Sequence, residues 1–489
     1  MRSITFSMIR RQIGEPHRQW VLAALVSVAC AGGTGSQEPA PVSLGDRAAA
    51  LLGETIRIDT SNPPGNERPL AEWLADYLER EGLEAQVIPL PDPSSERAAL
   101  WARLPGKGTR PPLILLSHLD VVPADASAWT VAPFAGVVGG GYVVGRGALD
   151  AKGVTATHVL ALVEARRRGE LDRDVILLAT PDEEAGGRGG AALIVEHHPE
   201  LLGAARYLLT EGGGVLPGEG GKPDVWGVAF TEKTPCWVNV AARGVPGHGA
   251  GATAEAATHR LVAALGRVAA LRFETQVTPA VAQMFAALAP LAAPEDSAGY
   301  KSLRGSLALD PAFRARFLQD SGRAALVRTT AAITTLSGGE RINMLPSEAR
   351  AGIDARLLPG ESCADFVERL RSAIDDPSVS LEVELSFAAR ASSADTPLME
   401  AIRRVAARSQ PTGVVVPRVI TGFTDAHWFR AQGIVSYGFV PRRLRPAETR
   451  GVHGANERVS IENLAFGVEA TLEMLRELDR VEAGESTRH

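Results

Sequence analysis

His118-Leu119-Asp120 sets an imidazole and a carboxylate two residues apart, one serine after the apolar run Leu113-Ile114-Leu115-Leu116. On extended chain such residues face the same side. A carboxylate beside a histidine can hold its second ring nitrogen, as a metal-ligating imidazole requires. Alone, the pair is equally compatible with a surface hydrogen bond. Further carboxylates follow: Asp150 after Gly145-Arg146-Gly147-Ala148-Leu149, the pair Glu183-Glu184, and Glu211. A dinuclear metal site needs a bridging carboxylate, with histidine and carboxylate ligands for each ion. His118, Asp150, Glu184, Glu211 and a later histidine are the candidates.

The elements that must carry these residues can be read from the apolar pattern. Leu113–Leu116, Val175–Ala179 and Tyr207–Leu209 are short all-apolar runs, as expected of strands buried on both faces of a parallel sheet. Helices are expected at 152–168 and 190–197 between them. Strand and helix alternate through this half, which predicts a doubly wound, mostly parallel α/β sheet. Ligands of such sheets bind beyond the carboxyl ends of the strands. His118, Glu183, Glu184 and Glu211 all fall there.

After about Thr234 the pattern changes. Strand-like segments at 236–243, 328–336, 348–357 and 379–386, with helices at 254–271 and 363–373, predict two helices on an antiparallel sheet. An Ala- and Pro-rich helical stretch, 279–318, reads as an insertion. Helix 397–409, strand 434–439 and helix 461–478 return to the first pattern. The expected organisation is a signal segment and tether at 1–42, a catalytic domain in two parts (43–234 and 391–489), and an inserted smaller α+β lid or dimerisation domain at 235–390.

Composition narrows the class. A chain of 489 residues exceeds one ordinary core, and 45% hydrophobic with 22% charged residues is globular. A net charge of −6 gives no electrostatic footprint for nucleic acid. Cys30, Cys236 and Cys363 have no metal-ligand spacing and no evident disulfide framework. Arg2, Arg10, Arg11 and Arg18 precede the apolar run 20–31, which is short for a membrane span. The expectation is export, as a periplasmic protein cleaved after Ala31 or as a lipoprotein anchored at Cys30.

Taken in order, His118-Leu119-Asp120, the segment Gly145 to Gly153, Glu183-Glu184, Glu211 and Val452-His453-Gly454-Ala455-Asn456-Glu457 resemble the motifs of a known family. It is the dinuclear zinc peptidase and deacylase family of carboxypeptidase S, glutamate carboxypeptidase, aminoacylase, acetylornithine deacetylase and succinyl-diaminopimelate desuccinylase. The resemblance spans nearly the whole chain after the signal segment. It implies two Zn²⁺ ions, with cobalt or manganese as alternatives. Asp150 would bridge them, His118 and Glu211 would complete one site, and Glu184 and His453 the other. Glu183 would be the general base for the metal-bridging water, and Asp120 would orient His118. The Asp150–Ala151 peptide would be cis. His248 would supply a carbonyl or oxyanion donor from the lid, often across a homodimer. Asn343 and Arg356 match positions that bind substrate. His427, in Gly422 to His427, is a rival for the distal ligand; His453 is preferred for its His-x-x-Asn-Glu context. His158, His197, His198 and His259 are read as packed or surface residues.

The implied activity is zinc-dependent hydrolysis of a peptide or N-acyl amide next to a free carboxylate: a carboxypeptidase, dipeptidase or N-acyl-amino-acid hydrolase. The chain looks most like the carboxypeptidase S and N-acyl-amino-acid hydrolase branch, whose apolar insertion could line an acyl pocket. The alternatives are a biosynthetic deacylase of the acetylornithine type and a non-catalytic binding protein that keeps the scaffold.

Overall fold

The computed structural model describes residues 42–91, 96–169, 171–449 and 451–484. The signal segment with Cys30 lies outside them. The large sheet is built from β1 (Glu84–Pro89), β2 (Ala98–Leu104), β3 (Arg110–His118), β4 (Arg173–Thr180), β5 (Tyr207–Thr210), β6 (Gly214–Leu216), β7 (Val225–Glu232), β8 (Val414–Ile420) and β9 (Val435–Gly438). Their order is β1-β2-β4-β3-β5-β9-β7-β8, with β6 also paired to β7. The centre, β4-β3-β5-β9, is parallel, as is β7-β8 at one edge. Antiparallel pairing is confined to β1-β2-β4 and to the β9-β7 and β6-β7 contacts.

The expected α/β fold class is therefore found, and its reason is local. Leu113 to Leu116 of β3 are fully buried, because helices cover both faces of the sheet. Helix Lys152–Arg168 is buried around its whole circumference from Lys152 to Ala165, which explains its lack of an amphipathic stripe. Parallel β3, β4 and β5 end together at His118, Thr180 and Thr210, so the chain following each emerges at one edge.

A second, four-stranded antiparallel sheet joins Thr330–Ser337, Glu348–Leu357, Thr234–Arg243 and Val379–Ser386, in that order. Helices Ala257–Ala269 and Cys363–Ile374 pack on it through Leu261, Leu265, Phe366 and Leu370. The helical insertion behaves otherwise. Val281, Phe285, Phe313 and Phe317 join the core of the large domain, and helix Pro279–Leu288 lies against β8.

The cysteine reading needs correction. Cys236 and Cys363 form a disulfide, 127 residues apart, tying the second sheet to the start of helix Cys363–Ile374. Such a separation leaves no spacing signal; only the fold brings the pair together. Both are buried. Closing so long a loop constrains the unfolded chain, an effect typically worth roughly 2–5 kcal/mol. The Cys236→Ala/Cys363→Ala double variant is expected to lose about that much in denaturant unfolding of the second domain; an unchanged midpoint would refute it.

Candidate metal centre

Five ligand candidates converge beyond the ends of β3, β4 and β5. His118 Nδ1 lies 2.8 Å from the Asp120 backbone oxygen. A carbonyl can only accept, so Nδ1 carries a proton and Nε2 is the nitrogen turned toward the carboxylates. That Nε2 is 3.0 Å from Asp150 Oδ1 and 3.4 Å from Glu211 Oε1. The other Asp150 oxygen, Oδ2, is 3.2 Å from His453 Nε2, which is itself 3.2 Å from Glu184 Oε2. Two triads result, His118/Asp150/Glu211 and Asp150/Glu184/His453, each with ligand atoms within 4.8 Å of one another. Asp150 is shared. The Asp150–Ala151 peptide is cis, as the resemblance implies.

The loops are held by buried polar groups. The Asp120 carboxylate accepts from the backbone N–H of Glu183 and of Glu184, both at 3.1 Å, and from Asn62 Nδ2 at 2.9 Å. Its oxygen is 3.4 Å from His118 Nδ1, farther than its own backbone carbonyl. Asp120 thus does more than orient His118: it ties the Glu183-Glu184 loop to the end of β3. The Glu211 loop crosses tightly over its neighbours. A Cβ at Gly213 would come within 2.3 Å of the Gly227 and Gly438 oxygens, so only glycine fits there.

The cluster is rich in negative charge. Burial first, and then Glu211, pushes the Glu183 carboxyl well above the usual range. Burial and Asp150 push Glu211 up to about 7. The imidazoles respond in kind: hydrogen bonds to Asp150 and Glu184 raise His453 to about 10. For His118 burial acts downward, but Glu211 and its hydrogen bonds outweigh this and raise it well above normal. Two imidazole nitrogens and three carboxylates, one of them shared, fit a pair of divalent cations, which would supply that positive charge. Glu184 Oε1 is a buried acceptor with no donor, as a ligand oxygen would be. Glu183 stands beside the triads without joining either, its Oε2 4.0 Å from His118 Nε2.

The remaining candidates fall elsewhere. His248 is exposed in the second domain, where its short strand pairs with Met344-Leu345. Asn343, also exposed, meets the same loop: its carbonyl accepts from Gly249 N at 2.8 Å. Arg356 is apart from both, paired with Asp354 at 2.7 Å and stacked over Trp237 and Phe423. His427 is buried, stacks on Phe387 and donates from Nδ1 to Thr424 O, outside both triads. Burial lowers both His427 and His158 to about 3. His197 and His259 are exposed and His198 is partly exposed.

The sequence pattern of Peptidase family M20/M25/M40 matches residues 114–477 of the chain. The chain belongs to this family. The mouse N-fatty-acyl-amino acid synthase/hydrolase PM20D1 is 29% identical over 387 residues, 75% of this chain and 74% of the relative. Pig aminoacylase-1 is 25% identical over 89% of this chain and 96% of its own. An M20-family metallo-carboxypeptidase from Sulfolobus solfataricus shares the fold, with a TM-score of 0.68 at 18% identity, covering 89% of this chain and 99% of that one. As an M20 peptidase the chain is a metallohydrolase, and the two triads are its candidate ligand groups.

Sequence reasoning missed part of what positions this M20 centre. Glu457 is fully buried and receives four donors around the Asp150 loop. It stood in the quoted His-x-x-Asn-Glu motif, but nothing in the motif assigns it a task. Arg442 donates from Nη1 to Leu149 O at 2.9 Å, steadying the same loop from the other side. Asn62, on the loop between helices Leu44–Arg57 and Arg68–Arg80, carried no signal.

Proposed function

We propose that this M20 hydrolase cleaves an amide bond next to a free carboxylate, with N-acyl amino acids as its preferred substrates. The observation that carries the hydrolytic part is the position of Glu183: buried, adjacent to both triads, and a ligand in neither. His118, Asp150 and Glu211 would hold one zinc ion, and Asp150, Glu184 and His453 the other. Bound there, the pair would polarise the scissile carbonyl and acidify the attacking water. Glu183 takes a proton from that water and returns it to the leaving amine.

His248 accepts from Ala250 N through Nδ1, which leaves its proton on Nε2, a free donor for a carbonyl or oxyanion. Around it the second domain exposes Val245, Ile342 and Met344, and strand Thr330–Ser337 is an unpaired sheet edge. These features support a homodimer through that domain, with His248 serving the neighbouring copy. Arg356 and Asn343 are proposed as substrate contacts, Arg356 for its bidentate fit to a carboxylate. Export is supported by the buried Cys236–Cys363 bond, which persists in oxidising compartments; lipidation of Cys30 remains part of this proposal.

The preference for acyl substrates rests on the insertion. Met284 and Leu288 of helix Pro279–Leu288 wall a cavity that Asp150 and Glu211 also line. Kinetics of the zinc-loaded protein on N-acyl amino acids of graded length, plain dipeptides and N-acetylornithine tests it. Turnover is expected to rise from acetyl to long acyl groups. Indifference to chain length would remove the acyl reading, and absence of metal-dependent turnover on every substrate would remove the hydrolase.

A further inference from the structure

The cavity that opens from the metal centre has a volume of about 660 Å³, the size of a pocket for an extended small molecule. Past Asp150 and Glu211 its wall is the glycine run 212–214, then Val215, Leu216, Val225, Val416, Met284 and Leu288. Such a lining suits a hydrocarbon chain. Arg418 breaks the pattern.

Val416 and Arg418 are two apart on β8 and so project from one face of the sheet, into the cavity. On β7, opposite Val416 and diagonal to Arg418, Gly227 has no side chain, and Arg418 Cδ lies 3.4 Å from where a Cβ would stand. The arginine stem occupies that space. Arg418 is exposed by surface area and yet lines the cavity, the situation of a side chain at the wall of a cleft. Burial is the one influence on its pKa, and it acts downward. Among the described residues the Arg418 guanidinium has neither an ion pair nor a hydrogen bond. Arg442, the other cation of this wall, differs: it is bonded to Leu149 O and lies in the field of Asp150, Glu211 and Glu457. An unpaired guanidinium on the wall of a cleft is free to receive an anionic group of a ligand.

Strand register gives its distance from the chemistry. Thr210, just before Glu211, pairs with Gly438 of β9; Gly438 pairs with Ala229 of β7; Ala229 pairs with Arg418 of β8. Three steps at about 4.8 Å set the Arg418 backbone roughly 14 Å across the sheet from that of Thr210. The carboxylate next to the scissile bond is too close to that bond to be its partner. An acetyl group would also fall short. The partner must sit at the far end of a longer chain.

We propose that Arg418 determines specificity by receiving a carboxylate at the tip of the acyl group, so that the preferred substrates are amino acids acylated by an apolar chain ending in an acid. This deepens the N-acyl-amino-acid reading and rests on it. A planar guanidinium offers two parallel N–H donors to a carboxylate, and such charge-assisted pairs discriminate strongly. The same chemistry could arrive as a glutamate side chain on the acyl side of a peptide.

The test compares, on the zinc-loaded protein, N-acyl amino acids of equal chain length ending in methyl or in carboxylate, together with peptides carrying Glu or Gln on the acyl side. The wild type is expected to favour the carboxylate-tipped acyl substrate by about tenfold or more in kcat/KM. In Arg418→Met that ratio falls by about 10–100-fold, mainly through KM, and Arg418→Lys recovers part of it. A wild-type preference for methyl, or a ratio that Arg418→Met does not move, overturns the proposal. A charge preference seen for the Glu peptides and not for the acyl series would assign Arg418 to peptides, overturning the acyl form. Cleavage of peptides with no acyl substrate accepted is the separate failure of the underlying reading, and the Glu/Gln ratio then decides on Arg418.

Discussion

Glu183→Gln is expected to lower kcat by about 10²–10⁴-fold while metal content and thermal stability stay at wild-type values. The substitution keeps the shape of the side chain. It leaves the backbone N–H of residue 183 on Asp120 Oδ1, so the loop that carries Glu184 is not released. What it removes is a buried carboxylate that stands beside the triads and has no ligand position in either. Glu184→Gln is the contrasting variant, because it takes an oxygen from the Asp150/Glu184/His453 triad and should lower metal content along with turnover. Steady-state kinetics with elemental analysis of both variants separates the roles. If Glu183→Gln kept more than a tenth of wild-type kcat, proton transfer would have to be assigned elsewhere.

How far the centre could be read in advance depended on which residues sit at strand ends. His118, Glu183, Glu184 and Glu211 follow within a few residues of all-apolar runs, and a parallel sheet must bring such ends to one edge. Asp150 and His453 follow no such run, and only the motif resemblance paired them with the others. The groups that hold the loops were illegible for another reason. The partners of Glu457, near residue 148, and of Asn62, at Asp120, are set by tertiary contact, which no periodicity encodes. The same holds for the disulfide, since a separation of 127 residues looks like chance until the second sheet is folded. Composition marked 279–318 as an apolar insertion, yet could not say that Val281 and Phe285 would pack on the large domain beside β8. His248 and Asn343 meet in the second domain because their short strands pair, whereas Arg356 lies on a longer strand whose side chain turns toward Trp237 and Phe423.

Glu457→Ala is expected to weaken metal binding by about 10–100-fold and to lower stability by several kcal/mol. Glu457 Oε1 accepts from Leu149 N at 2.6 Å and Asp150 N at 3.0 Å; Oε2 accepts from Gly147 N at 3.0 Å and Arg146 Nη1 at 2.7 Å. All of this is buried, with Arg146 3% exposed and Glu457 fully enclosed. Burial pushes the Glu457 carboxyl up, and the donors from Leu149 and Gly147 oppose that rise. Truncation strands three backbone N–H groups and a guanidinium, each at roughly 1–3 kcal/mol, though losses within one network do not add. Because one of those N–H groups belongs to Asp150, the residue shared by both triads, slack in this loop displaces both at once. Glu457→Gln is the sharper probe. It preserves volume, but its amide nitrogen would face two of the four donors, so stability should fall less than in Glu457→Ala while metal affinity still drops. Chelator competition and thermal unfolding measured together decide the matter: a loss of stability with unchanged metal affinity would make Glu457 a purely structural anchor, with no part in placing Asp150.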